Sequence, residues 1–168
     1  MLPAHHAPGG GFRNPWPSYV DHSGLEYLTR VMPARRPLAQ FALPTRTPDW
    51  ARVERPREPL QAVWLGHATV LAQLGGFNVI TDPFFSSRAS PTQCAGPARY
   101  TRAPCALADV PVPIHAALFS HNHYDHVDAG SVAALVEKSA ADVARAAAGG
   151  AARFAGTLFV CPLGVAPR

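Results

Sequence analysis

The rhythm of apolar and polar positions changes near residue 61. Downstream of it, residues 62–65, Thr69–Leu74 and Phe77–Thr81 form three short β-rich runs, and Gly75-Gly76 between the last two marks a hairpin. Residues 83–113 hold no sustained period, and Pro83, Pro91, Pro97, Pro104, Pro111 and Pro113 punctuate them as loop. Residues 116–120 read as a short buried strand. Beyond a polar segment, Asp128 or Ser131 can cap a helix that places Val132, Leu135, Val136 and Val143 on one apolar face and runs through an alanine-rich stretch to about Gly149. Residues 157–161 read as a last strand. Hairpin strands followed by strand, loop, helix and strand predict an α/β layered fold with a mostly covered sheet.

Residues 1–60 behave differently. They hold ten of the eighteen prolines, and PWP, MPARRP and RPREP repeatedly remove backbone donors and disfavour helix before each proline. We expect a Pro-rich irregular arm over 1–60, with one short helix near residues 25–31 and with Trp16 and Tyr19 packed on the domain that follows, residues 61–168.

Composition narrows the function classes. The net charge of +4 comes from fourteen arginines against the single Lys138, in a chain 48% hydrophobic. We read this as a mildly basic solvated surface and assign no nucleic-acid partner, although arginine also suits bidentate phosphate contacts. Cys94, Cys105 and Cys161 are odd in number, widely spaced and outside any CxxC pair, which predicts free thiols rather than a disulfide framework or a cysteine zinc site. With neither a signal-peptide pattern at the start nor an apolar run of about eighteen residues, the expected location is cytoplasmic, with peripheral membrane contact left open.

The candidate chemistry lies in SHNHYDH. His121 and His123 are two residues apart, so in an extended segment leaving a strand both imidazoles can point to one metal. Asp125 and His126 follow where the chain must turn into the helix, and can offer a carboxylate oxygen and a third imidazole to a second metal. Three nitrogens and a carboxylate without thiolate suit zinc and leave positions for water, whose pKa the metal would lower. Asp82, in TDP, is a candidate to fix a ligand tautomer from behind, or a turn residue before Pro83. His67, in GHAT, either approaches the site or satisfies its turn. Tyr124 is expected to pack on the loop, and Ser86, Ser87, Arg88 and Ser90 form a polar loop open to solvent or substrate.

Read in order, WLGHATVL, TDPFFSSRASPTQ, GPARY, FSHNHYDHVD and CPLG resemble the N-acyl-phosphatidylethanolamine-hydrolysing phospholipase D family of the metallo-β-lactamase superfamily, from about Val63 to Gly164. FRNPWPSY resembles the family's NPWP segment. HxHxDH marks only the superfamily; the TDPxFSxRASPxQ segment followed by SHNHYDH is far more specific. The resemblance implies a metallo-β-lactamase-like αββα sandwich, of which this chain carries the N-terminal αβ half, and two Zn2+ per complete domain. It also implies hydrolysis of N-acyl-phosphatidylethanolamine to an N-acylethanolamine and phosphatidic acid. By motif, His121 and His123 would hold one zinc and Asp125 and His126 the other, with Asp125 and His126 also serving catalysis.

The sequence departs from the family in having Ala98 where a lysine is usual, and in a long alanine- and glycine-rich stretch over 139–156. The family's second half supplies a further histidine, a bridging aspartate and a final histidine. We therefore expect a truncated hydrolase, inactive alone, with an apolar sheet face left open and with a homodimer compatible with that face. The competing readings are another hydrolase of the same fold, a lactonase or a nuclease, and a non-catalytic fragment.

Overall fold

The computed structural model describes residues 44–149 and 154–163. The helix expected near residues 25–31, the packing of Trp16 and Tyr19 and the NPWP segment lie outside them. Five strands form one sheet in the order β1-β2-β3-β4-β5: β1 Leu60–Gly66, β2 Thr69–Leu74, β3 Phe77–Thr81, β4 Ala116–Leu118 and β5 Leu158–Val160. The first three are an antiparallel meander, while β4 pairs parallel with both β3 and β5. Gly75 (φ 55°) and Gly76 (φ 90°) both take the left-handed conformation that a two-residue hairpin needs, which sets Leu74 opposite Phe77. Parallel pairing requires crossovers. The one into β4 is the loop over 82–115, with a 3-10 turn at Leu107–Asp109; the one into β5 carries the long helix Ala129–Ala148.

Alternation along the strands turns Leu65, Leu71, Ile80 and Ala117 to one face, where Leu107, Val110, Ile114 and Leu135 cover them. Val53 joins this core from a five-residue helix, α1 (Trp50–Glu54), whose N-cap Asp49 accepts from the amide of Arg52 at 3.1 Å. The sequence reading did not predict α1, because one turn between prolines is too short to show a period.

The long helix, α2 (Ala129–Ala148), begins after Asp128 as expected, but its covered stripe differs. Ser131, Leu135 and Asp142 are buried, whereas Val136 is 53% exposed. Val136 follows Leu135 by about 100° of rotation, which turns it off the sheet. Asp142 tolerates its covered position because Lys138 (3.0 Å) and Arg145 (2.8 Å) pair with its carboxylate. No helix among the described residues is long and apolar enough to cross a membrane.

The other face of the sheet is apolar and open. Leu60, Trp64, Leu74, Phe77, Leu118, Leu158 and Val160 alternate with the core residues and remain 39–69% exposed. This is the face expected of a single αβ layer pair.

Because β1 and β3 run the same way and β4 is parallel to β3, the chain leaves all three strands at one edge. Gly66-His67 follows β1, Asp82 follows β3 and Ser120-His121 closes the exit from β4. The carboxyl ends of strands are where layered α/β folds place their ligands.

Candidate metal centre

Asp82 anchors the site from below. It is 6% exposed, adopts a left-handed φ of 36°, and its amide donates to the carbonyl of Leu118 at 2.8 Å. One carboxylate oxygen accepts from the amide of Ser120 at 2.7 Å; the other accepts from the Ser120 hydroxyl at 2.8 Å and faces Nδ1 of His126 at 3.0 Å. Burial works to raise this carboxyl's pKa, but the hydrogen bonds from His126 and Ser120 outweigh it and hold it below the usual value. Asp82 is therefore an acceptor-only anion here, so His126 carries its proton on Nδ1 and turns the Nε2 lone pair outward.

Ser120 passes the same constraint to a second imidazole. Its hydroxyl donates to Asp82 and lies 2.9 Å from Nδ1 of His121. With that hydrogen committed, the oxygen accepts from Nδ1–H and leaves Nε2 of His121 as the lone-pair nitrogen. Nothing in the sequence pattern singled out Ser120; its role follows from Asp82 lying one strand away.

The freed nitrogens converge in two groups. His121 Nε2 and His123 Nδ1 lie 3.1 Å apart, close to the roughly 3.3 Å that separates two nitrogens on a tetrahedral zinc with 2.0–2.1 Å bonds. His67, Asp125 and His126 bring one ligand atom each within 4.8 Å of one another. Asp125 Oδ2 is 3.0 Å from His67 Nε2 and 3.6 Å from His126 Nε2, which brackets the same spacing. The groups adjoin, since the His121 and His126 ring centroids are 4.0 Å apart. Burial depresses the pKa of His121, repulsion from His126 and His123 adds to this, and Asp125 and Asp82 oppose it. The net direction favours the neutral, ligating imidazole. Donor type and spacing fit a zinc ion.

His67 reaches this cluster through strain. It sits in the β1–β2 turn at φ 49° after Gly66 at φ 101°, and the Trp64 indole donates to its carbonyl at 2.8 Å. A non-glycine residue held left-handed in a turn is disfavoured, and here the conformation directs the ring toward Asp125. The loop after Asp82 is fixed to the start of α2: the Asp128 carboxylate accepts from the amide and hydroxyl of Ser86 and from the Ser131 hydroxyl, and Ser131 accepts from the amide of Phe85. Ser87 and Arg88 instead bond Gln93 within their own loop, and Ser90 receives the amide of Thr92. Tyr124, expected to pack on the loop, is 54% exposed: the turn that carries Asp125 and His126 inward faces the intervening ring to solvent. The three cysteines are free.

Comparison with known proteins agrees with this architecture. The profile of the beta-lactamase superfamily domain matches residues 77–159, which include Asp82 and the whole segment from His121 to His126. An uncharacterized protein of Mycobacterium tuberculosis is 41% identical over 119 residues, covering 70% of this chain and 31% of that protein. N-acyl-phosphatidylethanolamine-hydrolyzing phospholipase D 1 of Caenorhabditis elegans is 52% identical over 73 residues, 44% of this chain and 20% of that protein. The mitochondrial N-acyl-phosphatidylethanolamine-hydrolyzing phospholipase D of Saccharomyces cerevisiae is 36% identical over 74 residues, 44% of this chain and 15% of that protein. The matched stretch spans less than a third of each of these relatives. The mixed sheet, its crossover helix and the superfamily profile agree: residues 77–159 match the beta-lactamase superfamily domain, and the chain is similar over part of its length to N-acyl-phosphatidylethanolamine-hydrolyzing phospholipases D.

Proposed function

We propose that this chain carries the N-terminal ligand set of a zinc-dependent phosphodiester hydrolase of the phospholipase D type, acting on N-acyl-phosphatidylethanolamine. The observation that carries the reading is the convergence of His121, His123, Asp125 and His126 at the strand ends over one carboxylate, Asp82, which orients two of the three imidazoles directly or through Ser120. The 52% identity to a worm enzyme named for this reaction narrows the substrate class.

His121 and His123 would hold one zinc; Asp125 and His126, with His67 beside them, would hold the second. When bound, zinc supplies Lewis acidity toward phosphoryl oxygens and lowers the pKa of a water. The chain's own part is positional. Asp82 keeps the proton of His126 on Nδ1, Ser120 does the same for His121, and the left-handed turn at His67 holds that ring over Asp125. A phospholipid substrate makes the working surface of the complete enzyme a membrane interface, which is consistent with peripheral contact rather than insertion.

Product analysis tests the reading. Zinc-supplemented protein is incubated in parallel with N-acyl-phosphatidylethanolamine vesicles, a long-chain acyl lactone and a short RNA. Release of N-acylethanolamine from the vesicles alone, lost in His121→Ala, is the expected result for the hydrolase that contains this segment. Turnover of the lactone or the RNA in place of the lipid would refute the substrate assignment.

A further inference from the structure

A second feature of the site is cationic. A pocket of about 260 Å³ opens beside the histidine cluster, and its walls include His67, Asp125, Phe84, Arg99 and Tyr100. Its volume is below that of a pocket for a drug-sized ligand, so it suits one head group rather than acyl chains. Arg99 is held rigidly in its wall. Nε donates to the carbonyl of Thr101 at 3.1 Å, Nη1 donates to the carbonyl of Phe84 at 2.5 Å, and the guanidinium lies 4.5 Å from the Phe84 ring centroid.

Those contacts leave Nη2. It lies against Gly66, where a methyl group would come within 2.7 Å of it, so the residue preceding His67 is shaped to let the guanidinium in. Among the described residues no carboxylate pairs with Arg99. Asp128 contributes a favourable field, but both its oxygens are taken by Ser86 and Ser131. Burial pushes the Arg99 pKa down, yet a guanidinium remains charged. Arg99 is thus a half-buried cation, fixed by carbonyls and a ring in the wall of a pocket shared with His67 and Asp125, with no carboxylate partner among the described residues.

We propose that Arg99 is the anion-recognition residue of this site, its Nη2 edge taking a phosphoryl oxygen of a substrate whose reacting centre lies on the His67–Asp125 side of the pocket. This deepens the phosphodiesterase reading and rests on it for the identity of the anion. Arg99 holds the phosphoryl group in place and takes no part in proton transfer.

The probe is inorganic phosphate, titrated at constant ionic strength and followed by the Arg99 side-chain N–H resonance, with acetate in a parallel titration. The expected result is a saturable shift with phosphate and not with acetate. Arg99→Gln should weaken phosphate binding about ten- to hundredfold, as loss of a charge-assisted contact does, while zinc uptake stays unchanged. Arg99→Lys, which keeps the charge but cannot span both carbonyls, should fall between, and it serves if the glutamine variant does not fold. An unmoved Arg99 resonance, or equal phosphate binding by both variants and the wild type, would overturn the proposal. Phosphate binding at Arg99 together with turnover of the lactone or the RNA in place of the lipid would uphold it while removing the lipid assignment.

Discussion

Asp82→Asn is the sharpest perturbation of the site, because the substitution keeps shape and backbone preference while changing one donor-acceptor relation. Asparagine tolerates the left-handed φ of 36° at this position, so no backbone strain is added. Its carbonyl oxygen can still accept from the amide of Ser120, replacing the 2.7 Å contact. Its NH2 group, however, faces the Ser120 hydroxyl and the Nδ1–H of His126, where the wild type offers an acceptor at 2.8 and 3.0 Å. Two charge-assisted bonds are lost, at about 1.5 kcal/mol each, and the burial cost of the anion that is relieved offsets part of this. The expected net destabilisation is about 2 kcal/mol, read as a lower urea midpoint.

The larger effect falls on the ligand. His126 regains a hydrogen bond only by moving its proton to Nε2, which removes the lone pair facing Asp125. Loss of such an orienting partner weakens metal binding by about 10- to 100-fold. Zinc competition with a chromophoric chelator, together with long-range 15N–1H correlation spectra that report the tautomer, measures both. An Asp82→Asn protein with unchanged zinc affinity and His126 still protonated on Nδ1 would show that Asp82 does not set the tautomer of His126.

Three further outcomes follow from the fold. Burial, reinforced by Asp109, pushes the Cys105 thiol up to about 11; at pH 8 its thiolate fraction is then about two orders of magnitude below that of an ordinary cysteine. Mass spectrometry after brief iodoacetamide treatment should find the exposed Cys94 modified and Cys105 spared, with Cys105 catching up as the pH rises toward 11; equal labelling at pH 8 would contradict this. Leu135 is fully buried where α2 meets the sheet, so Leu135→Ala should cost roughly 2–5 kcal/mol in urea unfolding, whereas Val136→Ala, on the exposed side, should cost well under 1 kcal/mol. The open apolar face predicts self-association of the isolated chain: replacing Trp64 and Phe77 by lysine should reduce its size in light scattering and its binding of a hydrophobic dye, and no change in either would show that this face is not the adhesive one.

Much of this architecture was legible in the sequence because it rests on local signals. Period-two runs located β1 to β3, paired glycines located the hairpin, and the approach to SHNHYDH located β4. The start of α2 was legible at Asp128. The covered stripe of α2 was not, because an ion pair with Lys138 makes a charged position buriable and hydrophobicity then misdirects to Val136. Nor was α1, which contributes Val53, with Trp50 packed beside it, to a core built from residues far along the chain. At the site, the close spacing of His121, His123, Asp125 and His126 made those residues legible. Asp82 and His67 carried two readings each, and the structure turns both side chains toward the histidines. Ser120 and Arg99 were silent, since one acts through a carboxylate 38 residues away and the other through a pocket wall assembled from separate loops.

If the imidazoles and carboxylate at the strand ends form the proposed zinc site, X-ray absorption of the zinc-loaded chain will find only nitrogen and oxygen bound to the metal, with the imidazole signal reduced in His121→Ala and again in His126→Ala. A sulfur scatterer bound to the metal, or a zinc signal unchanged by both substitutions, would contradict the proposed site.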